Sequence, residues 1–387
     1  MKVNNVVSNK RNKKDRVRIS LAKWVFTPLA GVTLGSWVKV LKRHGRTIPP
    51  RYWPRNIFTI FMGIVNSLMA LREPDTWKDE KYKPHSPIFI IGHHRSGTTH
   101  LWQLLSVDKN FIYPTVTETI FPHTMLSMEK LTNKLAELFS PGKRPQDNVR
   151  SSTGSPMGEE WALCTSTFLS THMARHFPKN REFYKKYLTM KNVDENEREK
   201  WKQALDRFAR KLLLRYGNDK TLLFKAPPNT AKIKLILELY PDARFIHIYR
   251  NPYRVFQSAL HMEMNSRPMC TYQDMNFAEL KNYIIWRYKA MYNSFLEDAE
   301  DIPDEQLTQL SFEELEKDRF AAIRKIYIDL GLPDFPKMEP ELEKFVESIA
   351  GYQKNEYLQD EGDRELVAKE WGKFIRFFGY EQSGQLL

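Results

Sequence analysis

The residues best equipped for chemistry stand in "GHHRSGTTHL", residues 92–101. Gly92 and Gly97 bracket four residues, and two threonines, Thr98 and Thr99, follow. The apolar run Ile88, Phe89, Ile90, Ile91 precedes them, and "HLWQLL" continues as a helix. A strand that ends in a glycine turn and opens a helix aims several backbone N–H groups at one point, where the helix dipole adds positive charge. The spacing is that of a phosphate cradle. A nucleotide-hydrolysing loop would read Lys and then Ser or Thr after Gly97. Here both positions are Thr, so the cation for terminal phosphates is missing.

A second constellation is "RFIHIYRNPYRVFQSAL", residues 244–260. Magnesium-dependent phosphoryl transfer usually places an Asp at the end of a neighbouring apolar strand. This strand ends in Arg250 instead. A guanidinium there suits direct, bidentate, metal-free contact with a phosphate. A third is "GSPMGEEWALC", residues 154–164, in which Glu159 and Glu160 are candidates for a general base. Their alternative role is to stabilise a helix N-terminus as first-turn acids. His93 and His94 flank the loop, and His94 could take a proton or pack beneath it. His247, inside a strand, reads as a hydrogen-bonded core residue. His123, His172 and His176 have no compact ligand spacing, so no metal is expected.

These groups need a scaffold that brings separate strand ends together. Apolar strands over 88–91, 221–227 and 243–250 alternate with amphipathic helices through "TAKIKLILELY" and "YRVFQSALHM". That alternation predicts an α/β fold with a parallel sheet flanked by helices. Residues 181–215 read as a charged helical region, and 277–299 as one long amphipathic helix.

The chain has 387 residues, with 41% hydrophobic and 13% aromatic residues, enough for a substantial core. Cys164 and Cys270 imply no disulfide framework, and the expected setting is reducing and cytoplasmic. The net charge of +13 is localised. Residues 1–55 hold 14 Lys and Arg against Asp15, and the remaining 46 basic and 46 acidic residues balance. Residues 1–18 read as a disordered basic arm. Residues 19–83 read as a helical basic and apolar appendage broken at Pro28, Pro49, Pro50 and Pro54. Its two 15-residue apolar stretches, 24–38 and 57–71, are too short to span a bilayer. Flanked by Lys, Arg, Trp and Tyr, they suit an anionic membrane surface, with packing on the main domain as the alternative. That would make the protein peripheral on the inner face of the membrane. Nucleic acid is not expected as a partner, and neither is a cleaved signal.

At "RSGTTHL" and "YRNPYRVFQSAL" the sequence resembles the sulfotransferases that use 3′-phosphoadenosine 5′-phosphosulfate (PAPS), and their bacterial branch most. "LLFKAPPNT" is similar to that family's Lys-Ser-Pro strand end, with Ala226 in place of Ser. "LTQLSFEELEKD" and the segment 352–380 resemble its late parts. The likeness runs over residues 87–380 and implies a P-loop-like sulfotransferase domain over 84–387. It implies that Arg95 meets the transferred sulfonate, that Ser96, Gly97, Thr98 and Thr99 hold the 5′-phosphate, and that Arg250 and Ser258 hold the 3′-phosphate. Lys354 would lie in the segment covering the nucleotide. PAPS would be a co-substrate without a metal, and the acceptor an alcohol of lipid-like character. The missing lysine then makes sense, because there is no γ-phosphate to hold.

Two other readings stay open on sequence alone. One is a kinase or NTPase with a degenerate loop. The other is a membrane adaptor with a relic nucleotide site.

Overall fold

Ile88, Phe89, Ile90 and Ile91 form a strand buried on both faces, β1 (Ile88–Ile91), in a computed structural model that describes residues 27–128, 132–134, 153–351 and 360–381. The other strands are β2 (Phe111–Ile112), β3 (Thr221–Lys225), β4 (Arg244–Tyr249) and β5 (Leu307–Ser311). All pair in parallel, in the order β2-β3-β1-β4-β5. The predicted arm 1–18 and Lys354 lie outside the described residues.

Side chains alternate across a strand, and here the alternation separates two cores. Phe89 and Ile91 join Leu222, Phe224 and Phe245 on one face. Ile88 and Ile90 join Leu223, Ile246 and Ile248 on the other. Truncating Phe89 to Ala would cost about 3–5 kcal/mol, as for other fully buried aromatics.

Fifteen helices are described, in chain order. The first two, α1 (Leu34–His44) and α2 (Trp53–Ala70), belong to the appendage. Then come α3 (Thr98–Leu105), α4 (Val116–Ile120), α5 (Glu160–Thr167), α6 (Met173–His176), α7 (Arg181–Lys185), α8 (Glu195–Tyr216) and α9 (Ile233–Leu239). The rest are α10 (Pro252–Ser266), α11 (Phe277–Ala299), α12 (Phe312–Lys317), α13 (Arg319–Asp329), α14 (Phe335–Ser348) and α15 (Glu361–Phe377). Helices α3 and α12 to α14 cover the second face, and most others cover the first.

Two details depart from the sequence reading. The region expected to be helical from 181 to 215 is two helices, α7 and α8, separated by a turn in which Met190 has φ 57°. Pro54 does not break a helix. It sits in the first turn of α2, where a missing N–H costs nothing. The appendage also contributes to the main core, since Leu29, Trp37 and Val40 pack in the same cluster as Phe89.

Candidate active site

Parallel pairing sets the carboxyl ends of β1, β3 and β4 side by side, with Ile90 opposite Lys225 and Ile91 opposite His247. Such a crevice is where open α/β sheets bind ligands. The loop after β1 closes tightly there. Gly92 has φ 138°, and a Cβ on it would lie 2.1 Å from the Ile248 carbonyl oxygen. Its N–H donates to Thr230 Oγ1 at 2.8 Å. Gly97 has φ 99° and caps α3, and a Cβ on it would meet the Phe312 ring at 2.3 Å. No side chain caps the first turn of α3, so its N–H groups remain available to an anion. Arg95 itself has φ 76°, a left-handed conformation that costs a non-glycine residue about 1–2 kcal/mol.

The β4 tip comes to the same place. Asn251 Oδ1 accepts the Tyr253 N–H at 3.0 Å and Pro252 opens α10, which ends the strand at Arg250. The Arg250 guanidinium lies 4.3 Å from the centre of the Phe312 ring and donates to the Arg95 carbonyl at 3.4 Å. Ser258, two turns into α10, accepts from Arg95 Nε at 2.9 Å. Arg95, Arg250 and Ser258 therefore converge, with Gly97 sharing the Phe312 ring. Ser96 and Thr98 are buried in the loop, and Thr99 is half-buried.

The candidate bases differ in setting. Glu159 is 0% exposed, and its carboxylate accepts from the Lys225 N–H at 3.0 Å and from Asn229 Nδ2 at 2.5 Å. Burial first, with Glu160 nearby, pushes its pKa up to about 7. Glu160, 1% exposed, faces Lys232 Nζ at 3.1 Å and accepts from Ser170 Oγ at 2.6 Å. Ser170 Oγ is in turn 3.4 Å from His172 Nδ1, and the His172 ring lies 6.4 Å from that of His94. His94 is half-buried, and its Nδ1 finds no hydrogen-bond partner among the described residues. Burial and then the Arg287 guanidinium hold its pKa well below the usual histidine value. His93 turns inward, with Nδ1 2.8 Å from the His94 carbonyl and its ring against Tyr288.

Behind the histidines lies a group that sequence patterns did not reveal. Buried Glu263 pairs with Arg267 at 2.8 Å, Arg287 at 3.0 Å and Arg175 at 3.4 Å. Three guanidiniums on one carboxylate leave local positive charge beside the loop. Thr230, Phe312 and Lys232 were also missed, because each gains its role from a partner far away in sequence, and Ser170 was missed although its partners Glu160 and His172 are near. His247 is the hydrogen-bonded core residue expected, 2.9 Å from Gln309 Oε1. Among the described residues no group of three or more His, Cys, Asp or Glu side chains could hold a metal ion.

A parallel sheet whose crevice carries a glycine-turned loop, two arginines and a serine has the chemistry to suit a phosphorylated or sulfated ligand. The sequence model of the sulfotransferase family matches residues 87–337, and the chain belongs to that family. It is 30% identical over 363 residues to omega-hydroxy-beta-dihydromenaquinone-9 sulfotransferase Stf3 of Mycobacterium bovis, covering 93% of each chain. The Mycobacterium tuberculosis protein of the same name matches equally. The fold is also that of two solved structures. Sulfotransferase STF9 from Mycobacterium avium superposes with a TM-score of 0.64 and 17% identity, over 87% of this chain and 88% of that one. Sulfotransferase STF1 from M. tuberculosis gives 0.60 and 16%, over 92% and 99%. The enzyme is a sulfotransferase of the bacterial type, and the kinase and relic-site readings give way.

Proposed function

We propose that this enzyme moves the sulfuryl group of PAPS onto a hydroxyl of an apolar, lipid-like acceptor at an anionic membrane surface on the cytoplasmic side. The observation that carries the donor assignment is the meeting of Arg95, Arg250 and Ser258 beside the glycine loop. The residues fit PAPS. The two glycines let the loop close against the Ile248 carbonyl and the Phe312 ring, and Arg95 and Arg250 supply the cationic groups for its sulfonate and 3′-phosphate. The acceptor class is supported by the relative's name, which describes a hydroxylated menaquinone derivative.

PAPS supplies a sulfuryl group on a phosphate leaving group. The S–O bond to that phosphate breaks as the acceptor oxygen forms its own S–O bond. Arg95 and the N–H groups of the loop meet the charge on the sulfonate and the departing phosphate, which is where catalysis of a loose displacement must act. Arg250 and Ser258 hold the 3′-phosphate and fix the nucleotide for in-line attack. The acceptor's proton passes to the imidazole of His94. Glu160 acts one step back, through Ser170 and His172, as a positioning residue. Glu159 braces the β3 end through Lys225 and Asn229.

The test is transfer of radiolabelled sulfonate from PAPS into a total lipid extract containing hydroxylated menaquinones. Label in an apolar, lipid-extractable product supports the reading. Label confined to water-soluble products would refute the acceptor class.

A further inference from the structure

Helix α2 is built the wrong way round for a helix on a soluble domain. Such helices bury apolar residues and expose polar ones. Here the buried face holds Arg55, Asn56, Thr59 and Asn66 beside Met62 and Gly63. The outward face is a stripe of Trp53, Ile57, Phe61, Ile64 and Leu68, continued by Leu71 just past the helix. Their spacings of four, four, three, four and three residues keep them in one line. Ile57, Phe61, Leu68 and Leu71 are 59%, 60%, 56% and 84% exposed, far beyond scattered surface apolar residues.

The orientation is imposed by the inward face. Arg55 donates to the carbonyls of Thr271 and Pro268. Asn56 accepts from Trp37 Nε1 at 2.9 Å, and Thr59 Oγ1 is 2.7 Å from Tyr272 Oη. Asn66 donates to the carbonyls of Ala30 and Val32 at 2.7 and 3.0 Å. Rotating the helix to hide its stripe would break all of these bonds and leave their buried partners unsatisfied.

We infer that the outward face of α2 is an interfacial anchor that lies in the plane of an anionic lipid surface, its stripe among the acyl chains and its polar face bonded to the enzyme. This rests on the membrane-surface part of the proposed function and not on the identity of the donor. Charge selects the occupant. Residues 27–72 contain no Asp or Glu, and Lys39, Lys42, Arg46 and Arg72 are exposed. That pattern matches anionic headgroups, and it disfavours a second copy of the chain, whose same segment would repel it. No helix among the described residues is long and apolar enough to cross a membrane, so the segment lies on it.

The anchor is also continuous with the site. Thr59 touches Tyr272, the Tyr272 ring lies 6.2 Å from that of His176, and His176 lies 6.0 Å from Trp161. Trp161 then meets His172 at 4.4 Å, and His172 faces His94. One wall of packed side chains runs from the lipid-facing helix to the catalytic loop.

The test uses the full chain with vesicles of phosphatidylglycerol and phosphatidylcholine. Replacing Ile57, Phe61 and Leu68 together by Ser, all exposed and without polar partners to lose, should lower vesicle partitioning by about tenfold or more. Binding of 3′-phosphoadenosine 5′-phosphate should be unchanged. In a separate F61W variant, emission should shift to the blue on adding vesicles. Wild-type partitioning in the triple variant would overturn the inference. So would a wild-type dimer that ignores vesicles and falls apart in the triple variant. A wild-type enzyme that binds vesicles but not 3′-phosphoadenosine 5′-phosphate would count against the donor assignment alone and leave the anchor standing.

Discussion

Arg95 Nε donates to Ser258 Oγ at 2.9 Å, across 163 residues of sequence. That bond joins the loop after the central strand to the helix after its neighbour, and in the proposed reading it makes one binding site of two motifs. A nucleotide with phosphate at both ends of its ribose is the ligand such a joined site fits.

The joint depends on two missing Cβ atoms. Gly97→Ala would force a methyl group to within 2.3 Å of the Phe312 ring, at a φ of 99° that disfavours it. Phe312 also supports Arg250, so the shift should reach both anion positions. Affinity for 3′-phosphoadenosine 5′-phosphate, by calorimetry, should fall about tenfold or more, with the melting temperature lowered by a few degrees.

The proton acceptor can be separated from its support. His94→Asn should keep nucleotide affinity and lower kcat about 100-fold, the usual share of a general base. Glu160→Gln, which leaves Ser170 and His172 in place but weakens the pair with Lys232, should cost kcat less and displace its pH profile. A loss in Glu160→Gln as large as in His94→Asn, without a pH displacement, would make Glu160 the base.

Glu159 gives a pH signature. Its pKa rises from 4.5 to about 7 on burial, so the folded protein holds a proton that the unfolded chain releases. Between those values stability should fall as pH rises, fully retained below 4.5 and lost by pH 7. The buried histidines act oppositely: His93, His94 and His172 are held well below 6.5, so they destabilise the fold as pH falls. The measurement is therefore a difference. The urea midpoint of Glu159→Gln minus that of wild type should rise steadily from pH 4.5 to pH 7. A flat difference would place the carboxylate in a wetter setting.

Much of this site was legible because its motifs are local. A buried strand, Gly92, Gly97 and the Thr pair fix a cradle within a dozen residues, and "YRNP" carries both the strand end and the helix start. The long helix α11 was readable for the same reason. Strands β2 and β5 were not. β2 has two residues, and "LTQLS" mixes polar and apolar positions as an edge strand does, so neither gives the run that marked β1. The Glu263 cluster was invisible because its three arginines come from α6, the end of α10 and α11. The inverted face of α2 was only half legible. Its apolar content pointed to lipid, but the inward side chains that set its rotation find partners more than 200 residues away, at Pro268, Thr271 and Tyr272.

The most direct test is the paired affinity of Arg250→Ala for 3′-phosphoadenosine 5′-phosphate and for adenosine 5′-phosphate. The first should weaken about 30-fold or more, as expected when a bidentate charged contact is lost. The second should stay within about twofold of wild type, since the loop still holds the 5′-phosphate. Equal losses for both ligands would contradict a 3′-phosphate site at the end of β4.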